Sequence, residues 1–154
     1  HSIVEGGAER FHSVSCGIAA MSDAVDLIAV QDGVRPFASK EMTLRAVECA
    51  VQTGSAIPVV VPVDSLRVAN TDGSSAPIDR STLRAVQTPQ IFDAATLRAA
   101  YDTPYLPSFT DDASVVEHMG VAVTLCEGER NNIKITTPVD LQFARAVLEG
   151  REQV

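Results

Sequence analysis

The sequence predicts one α/β domain over residues 1–154 with a mostly parallel sheet, and three observations lead to this prediction. Apolar runs of strand length alternate with stretches of helical periodicity along the chain. The run at 27–30 is wholly apolar and ends abruptly in a polar turn, which is typical of a buried parallel strand. With 154 residues, 45% of them hydrophobic, the chain can bury a sizeable core.

The elements follow from periodicity and from the residues that begin and end each segment. Ser39 and Asp93 are candidates for helix N-caps, and Gly54 and Gly120 are candidates for helix ends. Two prolines in the strand predicted over 57–63 favour a position near a sheet edge or a bulge. The predicted strands cover 2–7, 27–30, 57–63 and 121–125, with an extended piece at 133–135, and the predicted helices cover about 8–21, 40–53, 94–101, 111–119 and 139–149.

Residues 64–86 predict a protruding two-stranded arm. Polar and apolar residues alternate on both sides of a turn cluster at 70–75, and the segment is too polar to belong to the core. An isolated hairpin is marginally stable in water, so this β-arm needs a surface to lie on. A second copy of the chain can supply that surface, which predicts a homodimer.

Charge and hydropathy exclude several classes of function. The formal net charge of −8 argues against a nucleic-acid-binding surface. No apolar run approaches the roughly 20 residues needed to cross a bilayer, so no membrane association is expected. There is no signal-peptide pattern, and we expect a cytoplasmic protein.

Cysteine and histidine spacing predicts neither a disulfide framework nor a metal site. The cysteines Cys16, Cys49 and Cys126 stand far apart and form no CxxC pair. They are expected to be small buried apolar residues in a reducing compartment. The three histidines, His1, His12 and His118, lack metal-ligand spacing, so no zinc site is expected.

The turn after the strand at 27–30 is the first candidate site. Asp32 and Gly33 follow the strand directly, and Pro36 favours an extended conformation for Arg35. Gly33 permits a sharp turn and the close approach of a ligand. Open α/β sheets bind ligands at the carboxyl ends of their strands, which favours a ligand here. The alternative is an ordinary Asp-Gly turn with a solvated arginine.

The other candidate groups are hydroxyls and cations at strand ends and in loops. Such a set binds and orients phosphate, and transfers it through positioning and charge stabilisation. No nucleophile elbow and no P-loop motif occurs. Structural alternatives stay open: Ser13 can bond to backbone, Arg80 and Arg84 can be solvated, and Lys134 can be an ordinary strand lysine. The candidates are Gly7, Ser13, Asp32, Arg35, Ser65, Arg80, Thr88, Thr110 and Lys134.

An ordered series of short motifs resembles the 2-C-methyl-D-erythritol 4-phosphate cytidylyltransferase family. Each motif alone is weak, but together they run the length of the chain. The resemblance implies a Rossmann-like nucleotidyltransferase fold with helices on both faces of the sheet. The motifs are Glu5-Gly6-Gly7-Ala8-Glu9-Arg10 with Ser13-Val14, Asp32-Gly33-Val34-Arg35-Pro36, Val61-Pro62-Val63-Asp64-Ser65, Asp79-Arg80, Gln87-Thr88-Pro89-Gln90, Thr110-Asp111-Asp112-Ala113, Glu127-Gly128 and Asn132-Ile133-Lys134-Ile135-Thr136.

The resemblance also implies a reaction and a set of roles. CMP passes from CTP to methylerythritol phosphate, pyrophosphate is released, and Mg²⁺ is held mainly by the CTP phosphates, with no protein metal ligand. The partners are CTP, methylerythritol phosphate and a second subunit whose arm completes the site. The implied roles are nucleotide contacts for Gly7, Ser13, Asp32 and Gly33, substrate contacts for Arg35, Ser65, Arg80, Thr88 and Thr110, and catalysis for Lys134, Asp32 and Arg35.

The sequence departs from the family pattern at several positions. Ala8 stands where aspartate is common, Gln31 replaces a usual histidine, and Ser65 replaces threonine but keeps the hydroxyl. The family's opening strand and Gly-rich loop do not precede His1, so the first βα unit is expected to be missing and the chain, as given, to be inactive alone. Two alternatives stay open: a related polyol- or sugar-phosphate enzyme such as ribitol phosphate cytidylyltransferase, and a non-catalytic dimerising module.

Overall fold

The computed structural model describes residues 2–151, so His1 and residues 152–154 lie outside the description. Its helices are α1 (Arg10–Ala19), α2 (Lys40–Thr53), α3 (Ala94–Tyr101), α4 (Asp112–His118) and α5 (Pro138–Arg151). Its strands are β1 (Leu27–Val30), β2 (Ser55–Val60), β3 (Arg67–Ala69), β4 (Ser75–Pro77), β5 (Ala85–Val86), β6 (Gln90–Asp93) and β7 (Leu125–Glu127).

In the main sheet, β1, β2 and β7 share one direction, and β5 and β6 run antiparallel to them. β6 pairs antiparallel with both β1 and β2, and β5 pairs antiparallel with β2 further along. β7 pairs parallel with β2. The strands β1, β2 and β7 therefore run the same way, as the α/β prediction requires. The sequence analysis did not predict that β6 would lie between β1 and β2.

The sheet is covered by helices on both faces. Ile28, Ile57 and Phe92 share one face and pack with residues of α1, α3 and α4 in a large buried cluster. Ala56 and Ile91 share the other face and pack against α2. Neighbouring residues of β2 and β6 point to opposite faces, so both strands are apolar on each side and buried between two layers.

All five predicted helices form, and caps explain where several of them begin or end. The hydroxyl of Ser39 accepts the N–H of Met42, and Gly54 ends α2 with a positive φ of 85°. The carboxylate of Asp93 caps α3 through the N–H of Thr96. α4 begins with a capping box built on Asp111.

Several strand predictions are wrong in detail. Residues 2–7 form no strand, and Ile3 is fully exposed, because no described strand lies beside them. β2 is not at an edge of the sheet, because it pairs with β7 on one side and with β5 and β6 on the other. Its residue Pro58 lies opposite Cys126 of β7. The strand predicted over 121–125 forms at Leu125–Glu127 instead. Residues 133–135 form no strand, although the N–H of Ile135 bonds to the carbonyl of Val34.

The predicted β-arm is present but shorter than expected. β3 and β4 pair antiparallel, and every residue of both strands is exposed. The guanidinium of Arg67 ties the two strands through the hydroxyl and carbonyl of Ser75. Ala85 and Val86 form β5 of the main sheet, so the return of the arm is anchored in the body. No helix within residues 2–151 is long and apolar enough to span a bilayer.

We predict that Ser39→Ala lowers the free energy of unfolding by about 1 kcal/mol, because it removes the N-cap of α2. The same hydroxyl donates to the carboxylate of Glu129 at 2.7 Å, so a loop contact is lost as well. Urea denaturation measures the change. Lys40→Ala, at the neighbouring exposed position, is the matched control and should alter stability by less than about 0.5 kcal/mol. Equal effects of the two variants would contradict the capping role.

Candidate active site

The turn after β1 places one carboxylate among three cations. Asp32 Oδ2 lies 3.2 Å from Lys134 Nζ and 3.5 Å from Arg35 Nε. Asp32 Oδ1 lies 3.4 Å from Arg10 Nε. The side chain of Asp32 is 13% exposed, whereas that of Lys134 is 45% exposed. The lysine therefore reaches in from the solvent side to a carboxylate that the fold has largely covered.

Backbone contacts fix the position of Asp32. Its N–H donates to the hydroxyl of Thr88 at 3.0 Å, and its carbonyl accepts the N–H of Arg35 at 3.0 Å. The turn itself does not require Gly33, whose φ is not positive and whose Cβ position would face open space. The predicted steric reason for this glycine is therefore wrong for the turn. Because Gly33 has no side chain, open space remains beside Asp32.

The neighbouring charges change the ionisation of Asp32. Burial favours the neutral acid and acts to raise its pKa. The hydrogen bond from Lys134 and the charges of Lys134, Arg10 and Arg35 act in the opposite direction and dominate. The pKa of Asp32 is therefore lowered, and the carboxylate stays ionised at neutral pH.

A buried amide network holds the loop that carries Lys134. Asn132 is fully buried, and its side-chain amide donates to the carbonyl of Thr88 at 2.8 Å. The backbone carbonyl of Asn132 accepts hydrogen bonds from Arg35 Nη1 at 2.9 Å and from the side-chain amide of Gln87 at 3.2 Å. Thr88 and Arg35, which also contact Asp32, thus help to fix the loop two residues before Lys134.

Two adjacent cavities meet at this cluster. The first, of about 340 Å³, is lined by α1 and the turn after β1, and the second, of about 260 Å³, is lined by the segment before β6 and the start of α4. Arg10, Asp32 and Lys134 line both. The first cavity also has Ser13, Val14, Val30, Gln31, Gly33 and Val34, and the second has Arg35, Val86, Gln87, Thr88, Gln90, Thr110 and Asp111.

Arg10 enters the boundary between the cavities from the first turn of α1. Its two terminal nitrogens donate to the carboxylate of Asp112 at 2.9 and 2.6 Å. The hydroxyl of Tyr101 donates to the same carboxylate at 2.6 Å. Burial works against the charge of Arg10, but Asp112 outweighs it and raises the pKa of the guanidinium. Burial and Asp112 both raise the pKa of Tyr101, which stays protonated.

The structure brings most of the sequence-predicted residues to these cavities. Lys134, Asp32, Arg35, Thr88 and Thr110 surround the second cavity. Ser13 lines the first cavity, yet its hydroxyl is already bonded to backbone: it accepts the N–H of Gly7 at 3.1 Å and donates to the carbonyl of Glu9.

Gly7 supports the site without lining either cavity. A Cβ at this position would collide with His12, so the close approach of the chain to α1 requires glycine.

Two predicted residues lie away from the cluster. Ser65 is exposed, and Arg80 donates to the carbonyl of Val63 near the base of the arm. Arg84 likewise bonds to carbonyls of its own segment. Within one chain, these residues do not reach either cavity, which agrees with their predicted action from a second subunit but does not test it.

The sequence analysis did not select Arg10, Asp112 or the buried amides of Gln87 and Asn132 as site residues. Arg10 follows the double glycine at the start of a helix, in a chain with few cations, and that placement was the available signal. The pairing of Arg10 with Asp112 joins residues 102 positions apart. No spacing rule predicts such a contact.

The side chains at this site could bind Mg²⁺ only together with oxygen atoms of a bound substrate. Within residues 2–151, no group of three His, Cys, Asp or Glu could hold a metal. Asp32 and Asp111 are the carboxylates that line the second cavity, and Asp32 borders both. Mg²⁺ is commonly bound by one or two carboxylates together with substrate phosphates and water. The residues fit that pattern, with Asp32 as the protein ligand available.

The fold and the site define a class: an α/β domain that presents cations and hydroxyls at the carboxyl ends of its strands, where such folds bind ligands. Comparison with known proteins makes this specific. The family model for 2-C-methyl-D-erythritol 4-phosphate cytidylyltransferase matches residues 1–150. The chain belongs to this family of nucleotidyltransferases.

Curated relatives with that name agree. The chain is 48% identical over 148 residues to the protein of Bacteroides fragilis and 49% identical to that of Bacteroides thetaiotaomicron. Each match covers 96% of the chain and 67% of the relative. The chain thus spans about two thirds of their length.

Solved structures confirm the predicted nucleotidyltransferase-type α/β fold. The cytidylyltransferase of Thermus thermophilus superposes with a TM-score of 0.83 at 36% identity, covering 94% of this chain and 72% of that one. The 4-diphosphocytidyl-2C-methyl-D-erythritol synthase of Anaerococcus prevotii superposes with a TM-score of 0.84 at 30% identity, with 94% and 68% covered.

We predict that Lys134→Met moves the carboxyl pKa of Asp32 upward, because Lys134 supplies the largest of the interactions that lower it. A carboxyl-detected NMR titration measures the shift. The ion-pair contribution of Asp32 to stability is present above its unfolded pKa of about 3.9 and is lost as the pH falls through the lower folded value.

The chain offers a matched control for this titration. Lys40 is its other lysine, lies at the start of α2, and has no ion pair with Asp32. Lys40→Met should leave the titration of Asp32 unchanged. An unaltered Asp32 pKa in Lys134→Met would contradict the geometry of the cluster.

Proposed function

We propose that the protein transfers CMP from CTP to 2-C-methyl-D-erythritol 4-phosphate and releases pyrophosphate. The observation that carries the proposal is the pair of cavities that meet at Asp32, Lys134 and Arg10. Membership of the cytidylyltransferase family supports it. Two ligands in adjacent cavities would bring their phosphates together at that boundary.

The reaction is a displacement at phosphorus. An oxygen of the substrate phosphate attacks the α-phosphorus of CTP, the new P–O bond forms, and the bond from the α-phosphorus to the bridging oxygen breaks. The pyrophosphate leaves with the electrons of that bond. No covalent bond to the protein is needed, so the residues act through position and charge.

The first cavity suits the nucleotide and the second suits the alcohol phosphate. Ser13 and Gly33 border the first cavity, and Thr88 and Thr110 offer hydroxyls in the second. Arg35 approaches from the second cavity and is held by the carbonyl of Asn132. The substrate phosphate would thereby face the boundary.

Lys134 at the boundary would stabilise the negative charge on the phosphoryl oxygens in the transition state. The side chain of Lys134 is 45% exposed, so its ammonium can exchange Asp32 for a phosphate oxygen without burying a new charge. Mg²⁺ bound with the triphosphate would further neutralise its oxygens, and Asp32 would be the carboxylate available to hold it. The ionised state of Asp32 suits that role.

We predict that Lys134→Ala, in the protein expressed from its complete gene, reduces turnover by about 10²–10³-fold, the usual effect of removing one charge-stabilising group. Pyrophosphate release with CTP, methylerythritol phosphate and Mg²⁺ measures it. Lys40→Ala is the matched control and should retain full turnover.

The same assay tests the proposed substrate. Turnover of the unaltered protein with ribitol phosphate, and none with methylerythritol phosphate, would transfer the assignment to the related enzyme. A Lys134→Ala variant with turnover within a few-fold of the unaltered protein would remove the role of this lysine.

We also propose a homodimer in which the β-arm lies on the partner subunit. Its support is an exposed apolar surface: Leu66, Val68 and Ile78 are 36–49% exposed around β3 and β4. Strands with both faces in water are unstable alone. Ser65 and Arg80, which do not reach the cavities of their own chain, would meet substrate in the partner's site.

A cytoplasmic location fits the three unpaired cysteines.

We predict that Val68→Asp weakens the dimer, because it places a charge on the apolar surface of the arm. Sedimentation equilibrium should show the monomer fraction rising at a fixed concentration. Val121→Asp, at a valine of similar exposure in a loop of the body, should leave the association unchanged. A monomeric unaltered protein, or equal effects of the two variants, would contradict the proposal.

A further inference from the structure

The pair formed by Asp112 and Arg10 is unusual because one partner is buried and the other is not. The side chain of Asp112 is 0% exposed and that of Arg10 is 35% exposed. Asp112 accepts three hydrogen bonds, two from Arg10 and one from Tyr101. Residues of α1, α3 and α4 therefore converge on one carboxylate.

A purely structural ion pair would account for Asp112 and Tyr101 but not for the placement of Arg10. The guanidinium lines both cavities, and its Nε lies 3.4 Å from Asp32 Oδ1. A guanidinium carries five N–H groups. Two donate to Asp112 and the Nε–H donates to Asp32 at 3.4 Å, so two further N–H groups can contact a phosphate at the boundary, and the Nε–H can do so when a phosphate oxygen replaces Asp32.

We propose that Arg10 is a further catalytic cation, contacting the reacting phosphates between the cavities, and that Asp112 is a positioning residue that fixes its guanidinium there, while Tyr101 is a structural partner of Asp112. This inference rests on the proposed function. The buried fork holds the planar group by two bonds, so the charge keeps a fixed place when ligands displace Asp32 from it. A preorganised charge of this kind stabilises a transition state more than a mobile one does.

Arg10→Lys is the first test, measured in the protein expressed from its complete gene. Lysine keeps the charge on Asp112 compensated, but it lacks the fork that both binds the carboxylate and faces the cavities. The expected result is a fall in kcat of about tenfold or more, with KM changed much less. An unchanged kcat would overturn the proposal.

Asp112→Asn and Tyr101→Phe separate positioning from structure. Asparagine sets its N–H₂ group against the N–H groups of Arg10, so the guanidinium turns away and kcat should fall as in Arg10→Lys. Phenylalanine removes one buried hydrogen bond to the same carboxylate but leaves the fork intact, so stability should fall while kcat stays within about twofold. Equal loss of kcat in both variants would show a structural role only.

A double-mutant cycle closes the test. If Asp112 acts through Arg10, adding Asp112→Asn to Arg10→Lys should cause no further fall in kcat. Multiplicative losses would overturn the positioning role. If Asp112→Asn does not fold, the kcat values of Arg10→Lys and Tyr101→Phe are compared instead. A fall in kcat in Arg10→Lys alone supports the catalytic role of Arg10, and equal falls in the two variants contradict it.

A binding measurement keeps this inference separate from the proposed function. Inorganic pyrophosphate should shift the NMR signal of the Arg10 Nε–H in the unaltered protein, whether or not turnover occurs. Absence of turnover with CTP and methylerythritol phosphate would remove the proposed reaction. Absence of the pyrophosphate shift, with turnover present, would remove Arg10 as a phosphate contact.

Discussion

The arrangement of this site depends on the ionised carboxylate of Asp32. It gives Arg10, Arg35 and Lys134, which come from three separate parts of the chain, a common partner. Without it, three cations would repel one another across a small space. The carboxylate therefore gathers the cations, and in the proposed reaction phosphate oxygens would take its place. The acidic chain, of net charge −8, thereby keeps a local concentration of positive charge.

Amide side chains provide the rigid frame behind the charges. Gln87 bonds to the loop at Glu129 through both its oxygen and its nitrogen, and Asn132 joins that loop to Thr88. Amide side chains do not ionise, so their hydrogen bonds do not change with pH. Each buried amide leaves a costly unsatisfied polar group if its partner moves. A close glycine completes the frame, because a Cβ at Gly128 would collide with Gln87. The amide frame thus fixes the backbone of the loop that carries Lys134.

The sequence predicted the helices well because their signals are local. Ser39 and Asp93 cap the helices that follow them, and both act within three residues. The antiparallel insertion of β6 between β1 and β2 was not predictable, since pairing partners lie about 35 to 65 residues apart and leave no periodic signal. The turn at Asp32 was found because a carboxylate soon after an apolar run of strand length is a local signal, although only Ile28 of β1 is buried and the prediction of a buried strand is wrong. The bond from Arg10 to Asp112 was missed because it depends on tertiary packing alone.

The course of the chain between the β-arm and the site has a mechanical consequence. The arm returns through β5, and Thr88 follows β5 by two residues and accepts the N–H of Asp32. Val86, inside β5, also accepts a hydrogen bond from Arg35. A short stretch of backbone therefore joins the arm to the carboxylate of the site and to one of its cations. In the proposed homodimer, contact between the arm and the partner subunit would therefore bear on how the charges around Asp32 are aligned.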